Sequence, residues 1–107
     1  MGYVKNLSVS ELSELYGAVL TDKQREFIRL YYDCDISLQE ISELSGISRQ
    51  AVRDAILRGE KELVRLEDAL NFNRKRKEIA KICCLLTVDN GLDRRVKEGL
   101  KKIEDIL

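Results

Sequence analysis

Ser37-Leu38-Gln39-Glu40-Ile41-Ser42-Glu43-Leu44-Ser45-Gly46-Ile47-Ser48-Arg49-Gln50-Ala51-Val52-Arg53-Asp54-Ala55-Ile56 is the stretch whose reading decides the fold. Ser37 followed three residues later by Glu40 is a capping-box pattern that starts a helix. Leu38, Ile41 and Leu44 give that helix an apolar stripe. Gly46 can take positive φ at a helix C-terminus without Cβ strain. Ser48 is the next N-cap, and Ala51, Val52, Ala55 and Ile56 form the expected buried side of a second helix. Ser42 is small where two crossing helices approach. A short helix, a glycine and a second capped helix make the helix-turn-helix used by DNA-binding proteins.

The rest of the chain is built to carry such a unit. It has 107 residues, enough for one small domain with an appended arm. Proline is absent and 36% of residues are charged with balanced signs, the composition of a helical protein with long solvated faces. No apolar run approaches the roughly 18 residues of a membrane span, and no signal-peptide core opens the chain, so no membrane insertion and a cytoplasmic location are expected. Cys34, Cys83 and Cys84 form no CxxC pair, and there is no histidine to complete a metal set. They read as reduced apolar fillers, and no metal or cofactor is expected. With no histidine, phosphate loop or nucleophile elbow, the chain does not read as an enzyme.

Net charge is zero, which argues against strong non-specific nucleic-acid binding. Its distribution says more. Residues 1–36 carry four Lys/Arg against six Asp/Glu, while residues 73–107 carry ten against six. Acidic segments therefore precede a basic tail.

Toward the N-terminus, residues 1–7 show no periodicity and read as frayed. Ser8 and Glu11 predict a capped helix to about Leu20, with Leu12, Leu15, Tyr16 and Val19 on one side and Gly17 weakening it. Thr21 and Gln24 predict a second capping box, opening a helix to about Tyr32 that buries Phe27, Ile28, Leu30 and Tyr31.

Toward the C-terminus, Val52, Ile56, Gly59, Leu63, Leu66 and Leu70 fall at alternating steps of four and three. A helix over 49–71 would be about 33 Å long, too long for a three-helix core to cover. Leu63, Leu66 and Leu70 therefore form either a dimer seam or a packing site for the C-terminal helices. Glu60, Lys61, Glu62, Arg65, Glu67 and Asp68 read as the solvated face, and Gly59 permits a bend or a close crossing. Asn71-Phe72-Asn73 interrupts the helix, dividing the chain into a helix-turn-helix domain (1–70) and a C-terminal helical arm (71–107). The basic run Arg74-Lys75-Arg76-Lys77 is either solvated or a set of phosphate contacts. Ile79, Ile82, Cys83 and Leu86 resume a helical stripe, Thr87-Val88-Asp89-Asn90-Gly91 reads as a turn, and Leu92, Val96, Leu100, Ile103 and Leu107 line a last helix.

Leu20-Thr21-Asp22-Lys23-Gln24-Arg25, Leu30-Tyr31-Tyr32, Ser37-Leu38, Glu40-Ile41, Ser48-Arg49-Gln50-Ala51-Val52, Glu60-Lys61 and Leu63 together resemble the YlxM family. Those are small bacterial helix-turn-helix proteins similar to region 4 of sigma-70-type factors. The resemblance implies an all-α, sigma-70 region 4-like bundle with an extended helix and a C-terminal helical arm. It also implies a regulatory, nucleic-acid-binding protein of the signal recognition particle pathway, the link resting on family genes lying beside those for the particle's GTPase or its receptor. Ser45 stands before Gly46 where such motifs place an apolar residue, so Leu44 is expected to supply that packing.

Ser48, Arg49, Gln50 and Arg53 are the candidate nucleic-acid contacts. They sit at the start of the second motif helix, away from Val52 and Ile56. Arginine pairs bidentately with guanine and glutamine with adenine, so these residue types suit the work. The same residues also read as a solvated face partly neutralised by Glu43 and Asp54. Two functions remain open: a DNA-binding regulator, expected to pair as a homodimer, or an accessory module that binds the signal recognition particle's protein or RNA without reading DNA.

Overall fold

A computed structural model describes residues 7–88 and 91–107. Residues 1–6, expected to be frayed, and Asp89-Asn90 of the expected turn lie outside them. Among the described residues the protein is all-α. It has helices α1 (Leu7–Tyr16), α2 (Asp22–Ile28), α3 (Leu38–Ser45), α4 (Arg49–Leu70), α5 (Phe72–Thr87) and α6 (Arg94–Ile106). A 3-10 turn over Gly17–Val19 follows α1, and a π turn over Arg29–Asp33 follows α2. The described backbone divides into two compact units, the first ending at Leu70 and the second beginning at Asn71.

In the first unit, Val9, Leu12, Tyr16, Leu20, Phe27, Ile28, Ile41, Val52, Ile56 and Leu63 make one buried cluster. Each helix contributes the stripe its sequence spacing allows. The stripe of α1 starts at Val9, so the helix is already under way at Leu7 and Ser8 lies inside it rather than at its cap. The α-helix also stops four residues short of Leu20. Gly17 opens a 3-10 turn closed by Leu20 N–H donating to Gly17 O at 3.0 Å, and the tighter winding takes Val19 off the buried stripe.

Thr21 and Gln24 close a complete capping box: Thr21 Oγ1 accepts from Gln24 N, and Gln24 Oε1 accepts from Thr21 N, each at 3.1 Å. Helix α2 buries Phe27 and Ile28 and then widens into the π turn, which leaves Leu30, Tyr31 and Tyr32 half-buried. The expected single helix to Tyr32 is thus two windings in sequence.

Along α4 the buried stripe is Val52, Ile56, Gly59 and Leu63. Ala51, expected inside, is exposed because it lies about 100° around the helix from Val52. Two carboxylates expected in solvent are instead bonded inward. Glu60 is only 7% exposed and accepts from the Tyr32 hydroxyl, while Glu67 Oε1 accepts from the Tyr16 hydroxyl at 2.7 Å. They are seven residues apart, two turns along one face, so α4 is pinned at two levels by tyrosines from α1 and the π turn. Leu63 lies in the core, Leu66 is half-buried against it, and Leu70 is exposed. Asn71, at φ 56°, then takes the left-handed conformation that separates α4 from α5.

In the second unit, α5 and α6 pack on each other. Helix α6 is capped by Asp93, whose Oδ1 accepts from Arg95 N at 2.7 Å. Cys83 is buried, whereas Ile79, Ile82 and Leu86 are exposed.

Candidate nucleic-acid interface

Helix α3 and the turn into α4 are fixed by three small polar or flexible residues. Ser37 Oγ accepts from Glu40 N at 3.1 Å and donates to Glu40 Oε1 at 3.0 Å, so the Glu40 carboxylate meets the cap's hydroxyl rather than its backbone N–H. Gly46, at φ 75°, ends α3, its N–H donating to Ser42 O at 3.0 Å. Ser42 Oγ donates to Ile47 O at 2.6 Å and locks the far side of the turn. Ser42 thus acts as a hydrogen-bonding tie in addition to being small. Leu44 does not supply the packing expected of it: it is 72% exposed, lying about 120° around α3 from Leu38. Ser45 instead donates to Ile41 O at 2.7 Å.

Ser48 Oγ accepts from Ala51 N at 3.0 Å and starts α4. Ser48, Arg49 and Gln50 are exposed, and Arg53 is half-exposed. Arg49, Gln50 and Arg53 line one shallow depression with Leu38 of α3, with a volume of about 450 Å³. Gln50 Nε2 donates to Asp54 Oδ1 at 3.0 Å. The first turn of α4 carries no acid, unlike those of α2 (Asp22) and α3 (Glu40). Its positive dipole end is therefore open to an anion.

The pairing of the arginines is uneven. Arg25, Arg29, Arg65, Arg74 and Arg94 each bond a carboxylate three or four residues away. The hydrogen bonds from Arg29 and Arg65 hold the carboxyls of Glu26 and Glu62 below the usual carboxylate range. Arg49, Arg53 and Arg58 have no hydrogen-bonded or ion-paired partner among the described residues. In the basic run, Arg74 bonds Glu78 and Arg76 donates to Asn73 Oδ1 at 2.9 Å. Lys75 and Lys77 are exposed.

On the other flank of α4, Arg58 shares a depression of about 370 Å³ with Thr21, Lys23, Gln24, Ala51, Asp54 and Ala55. Lys23 and Arg58 were not among the contacts expected from the sequence, because they are far apart in it. Their signal is angular: Arg58 is five residues after Arg53, about 140° around the axis.

Residues 3–105 match the family described as "Putative helix-turn-helix protein, YlxM / p13 like". The chain belongs to this family. A UPF0122 protein of Desulforamulus reducens is 37% identical over 103 residues, covering 92% of this chain and 86% of its own length. One from Thermoanaerobacter is 41% identical over 99 residues, 92% of this chain and 76% of its own. A Clostridium botulinum relative is 49% identical over 69 residues, which is 64% of this chain; the match spans 63% of that relative's length. Membership of a YlxM / p13-like helix-turn-helix family accords with the α3–turn–α4 geometry. No described helix is long and apolar enough to cross a membrane.

Proposed function

We propose that this YlxM-like protein is a nucleic-acid-binding regulator that seats the start of α4 in the major groove of DNA. The observation that carries the reading is the pair Arg49 and Arg53. They lie one helical turn apart beside an acid-free helix N-terminus and have no partner among the described residues. An unpaired guanidinium fork costs little to transfer to a guanine edge or a phosphate, because no internal ion pair must first be broken. Gln50 offers the bidentate geometry for adenine, and Ser48 a phosphate contact. Arg74, Lys75, Arg76 and Lys77 supply further phosphate contacts in this reading. In this reading the protein is cytoplasmic, pairs as a homodimer and acts in the signal recognition particle pathway, the last being what the resemblance implies.

Replacing Arg49 and Arg53 by Ala is expected to weaken binding to a DNA target by about 30-fold or more, given about 1–3 kcal/mol per bidentate contact. Unchanged affinity in a gel shift at fixed salt would sink the reading.

The second reading, an accessory module on the particle's protein or RNA, is favoured by charge. Net charge is zero, and Asp35, Glu40 and Arg49 line one depression with Ser37 and Tyr31. Purifying the native protein with and without nuclease, and identifying what accompanies it, separates the two.

A further inference from the structure

We infer that Lys23 and Arg58 form a second phosphate-binding site, so that α4 is gripped by both strands bordering the groove it enters. This rests on the α4 reading above and extends it to the opposite flank of the helix.

The argument is angular. With the core side of α4 marked by Val52, Ile56 and Leu63, Arg49 and Arg53 project from one flank. Arg58 projects from the other, about 140° from Arg53 around the axis. Between them, Gln50 and Asp54 hold the front of the helix, hydrogen-bonded to each other. A helix about 10–12 Å across nearly fills a major groove about 12 Å wide, so a phosphate strand runs along each of its flanks. Cations on both flanks stand where those strands pass.

The second flank is a shaped surface rather than a lone side chain. Helix α2 begins beside α4 there, and the lining of the depression between them includes Ala51 and Ala55, whose small side chains leave room for a phosphate. Lys23 and Arg58 rim it, and neither has a partner among the described residues. Of the acids nearby, Asp22 bonds Arg25 at 2.7 Å, and Asp54, which also lines the depression, accepts from Gln50, so the depression carries two cations against one carboxylate. At the helix front, Asp54 keeps an acceptor that fits a cytosine amino group.

The test is fluorescence anisotropy of the full chain with a labelled 20-base-pair DNA duplex of mixed sequence, titrated across a series of salt concentrations. Each phosphate contact adds about 0.9 to the slope of log affinity against log salt. Lys23→Gln with Arg58→Gln is expected to reduce that slope by about 2 with helical content unchanged. Lys101→Gln with Lys102→Gln, which removes the same charge from α6, should leave it as in the parent. An equal drop in both pairs would mean bulk charge and overturn the site. A parent-like slope for the Lys23/Arg58 pair, with binding lost on Arg49→Gln and Arg53→Gln, would overturn this site and leave the α4 reading standing. A parent chain that fails to bind the duplex would overturn both.

Discussion

A Cβ placed on Gly59 would stand 2.6 Å from Cδ1 of Ile28 and 3.3 Å from Cβ of Gln24. Helix α2 therefore crosses α4 at the one stripe position that carries no side chain. Gly59→Ala would gain up to about 1 kcal/mol in helix propensity. Overpacking at so close a crossing costs about 1–3 kcal/mol, so the net effect expected in urea melts is destabilisation. Ile28→Val removes the obstructing methyl, so Gly59→Ala should cost less in an Ile28→Val background. Equal cost in both backgrounds would show that Ile28 is not the obstruction.

The two tyrosine hydroxyls on α4 should be separable by stability. Tyr32→Phe takes a hydrogen bond from buried Glu60, and Tyr16→Phe takes one from less buried Glu67. Bonds to charged groups contribute about 1.5–3 kcal/mol, and more where water cannot replace them. Tyr32→Phe is therefore expected to be the more costly in chemical denaturation. The reverse order would show that the lower pin, at Glu67, holds α4.

At Gly46 nothing lies within 4 Å of an added Cβ, yet φ is 75°. Substitution there tests backbone strain alone. Gly46→Ala should cost about 1–2 kcal/mol, with Gly46→Asn costing less because asparagine tolerates the left-handed region. Equal losses for Ala and Asn would contradict this.

Ile79, Ile82 and Leu86 of α5 fall at steps of three and four, and each is more than 40% exposed. The homodimer reading predicts that sedimentation gives about twice the 12.3 kDa chain mass; seated on these α5 residues rather than on the expected Leu63–Leu66–Leu70 stripe, it further predicts that Ile82→Glu with Leu86→Glu halves that mass while helicity persists. A parent mass of one chain at high micromolar concentration would refute the homodimer.

Local signals in the sequence predicted local structure well. Thr21, Ser37, Ser48 and Gly46 stand at the helix ends their chemistry suggests, because caps and left-handed glycines act within a few residues. The stripe Val52–Ile56–Leu63 is buried for the same reason of short-range periodicity. What was not legible depends on partners distant in sequence. Glu60 looked solvated because its bond comes from Tyr32, and Leu44 looked buried because spacing of three drifts around a helix. Arg49 and Arg53 could be named from motif chemistry, but their lack of ion-pair partners among the described residues could not. Lys23 and Arg58 meet only once α2 and α4 cross.

The π turn over Arg29–Asp33 makes the length of this segment a structural quantity. It closes on Cys34 N–H donating to Arg29 O at 3.1 Å, a span one residue longer than an α-turn. The wide turn absorbs one residue more than regular winding would, so a deletion beside it that left the wide turn in place would rotate everything downstream by about 100°. Tyr32 would then leave Glu60, and α3 would meet α4 on a different side. Descendants of this chain can thus exchange side chains between Thr21 and Ser37 more freely than they can change the number of residues separating them.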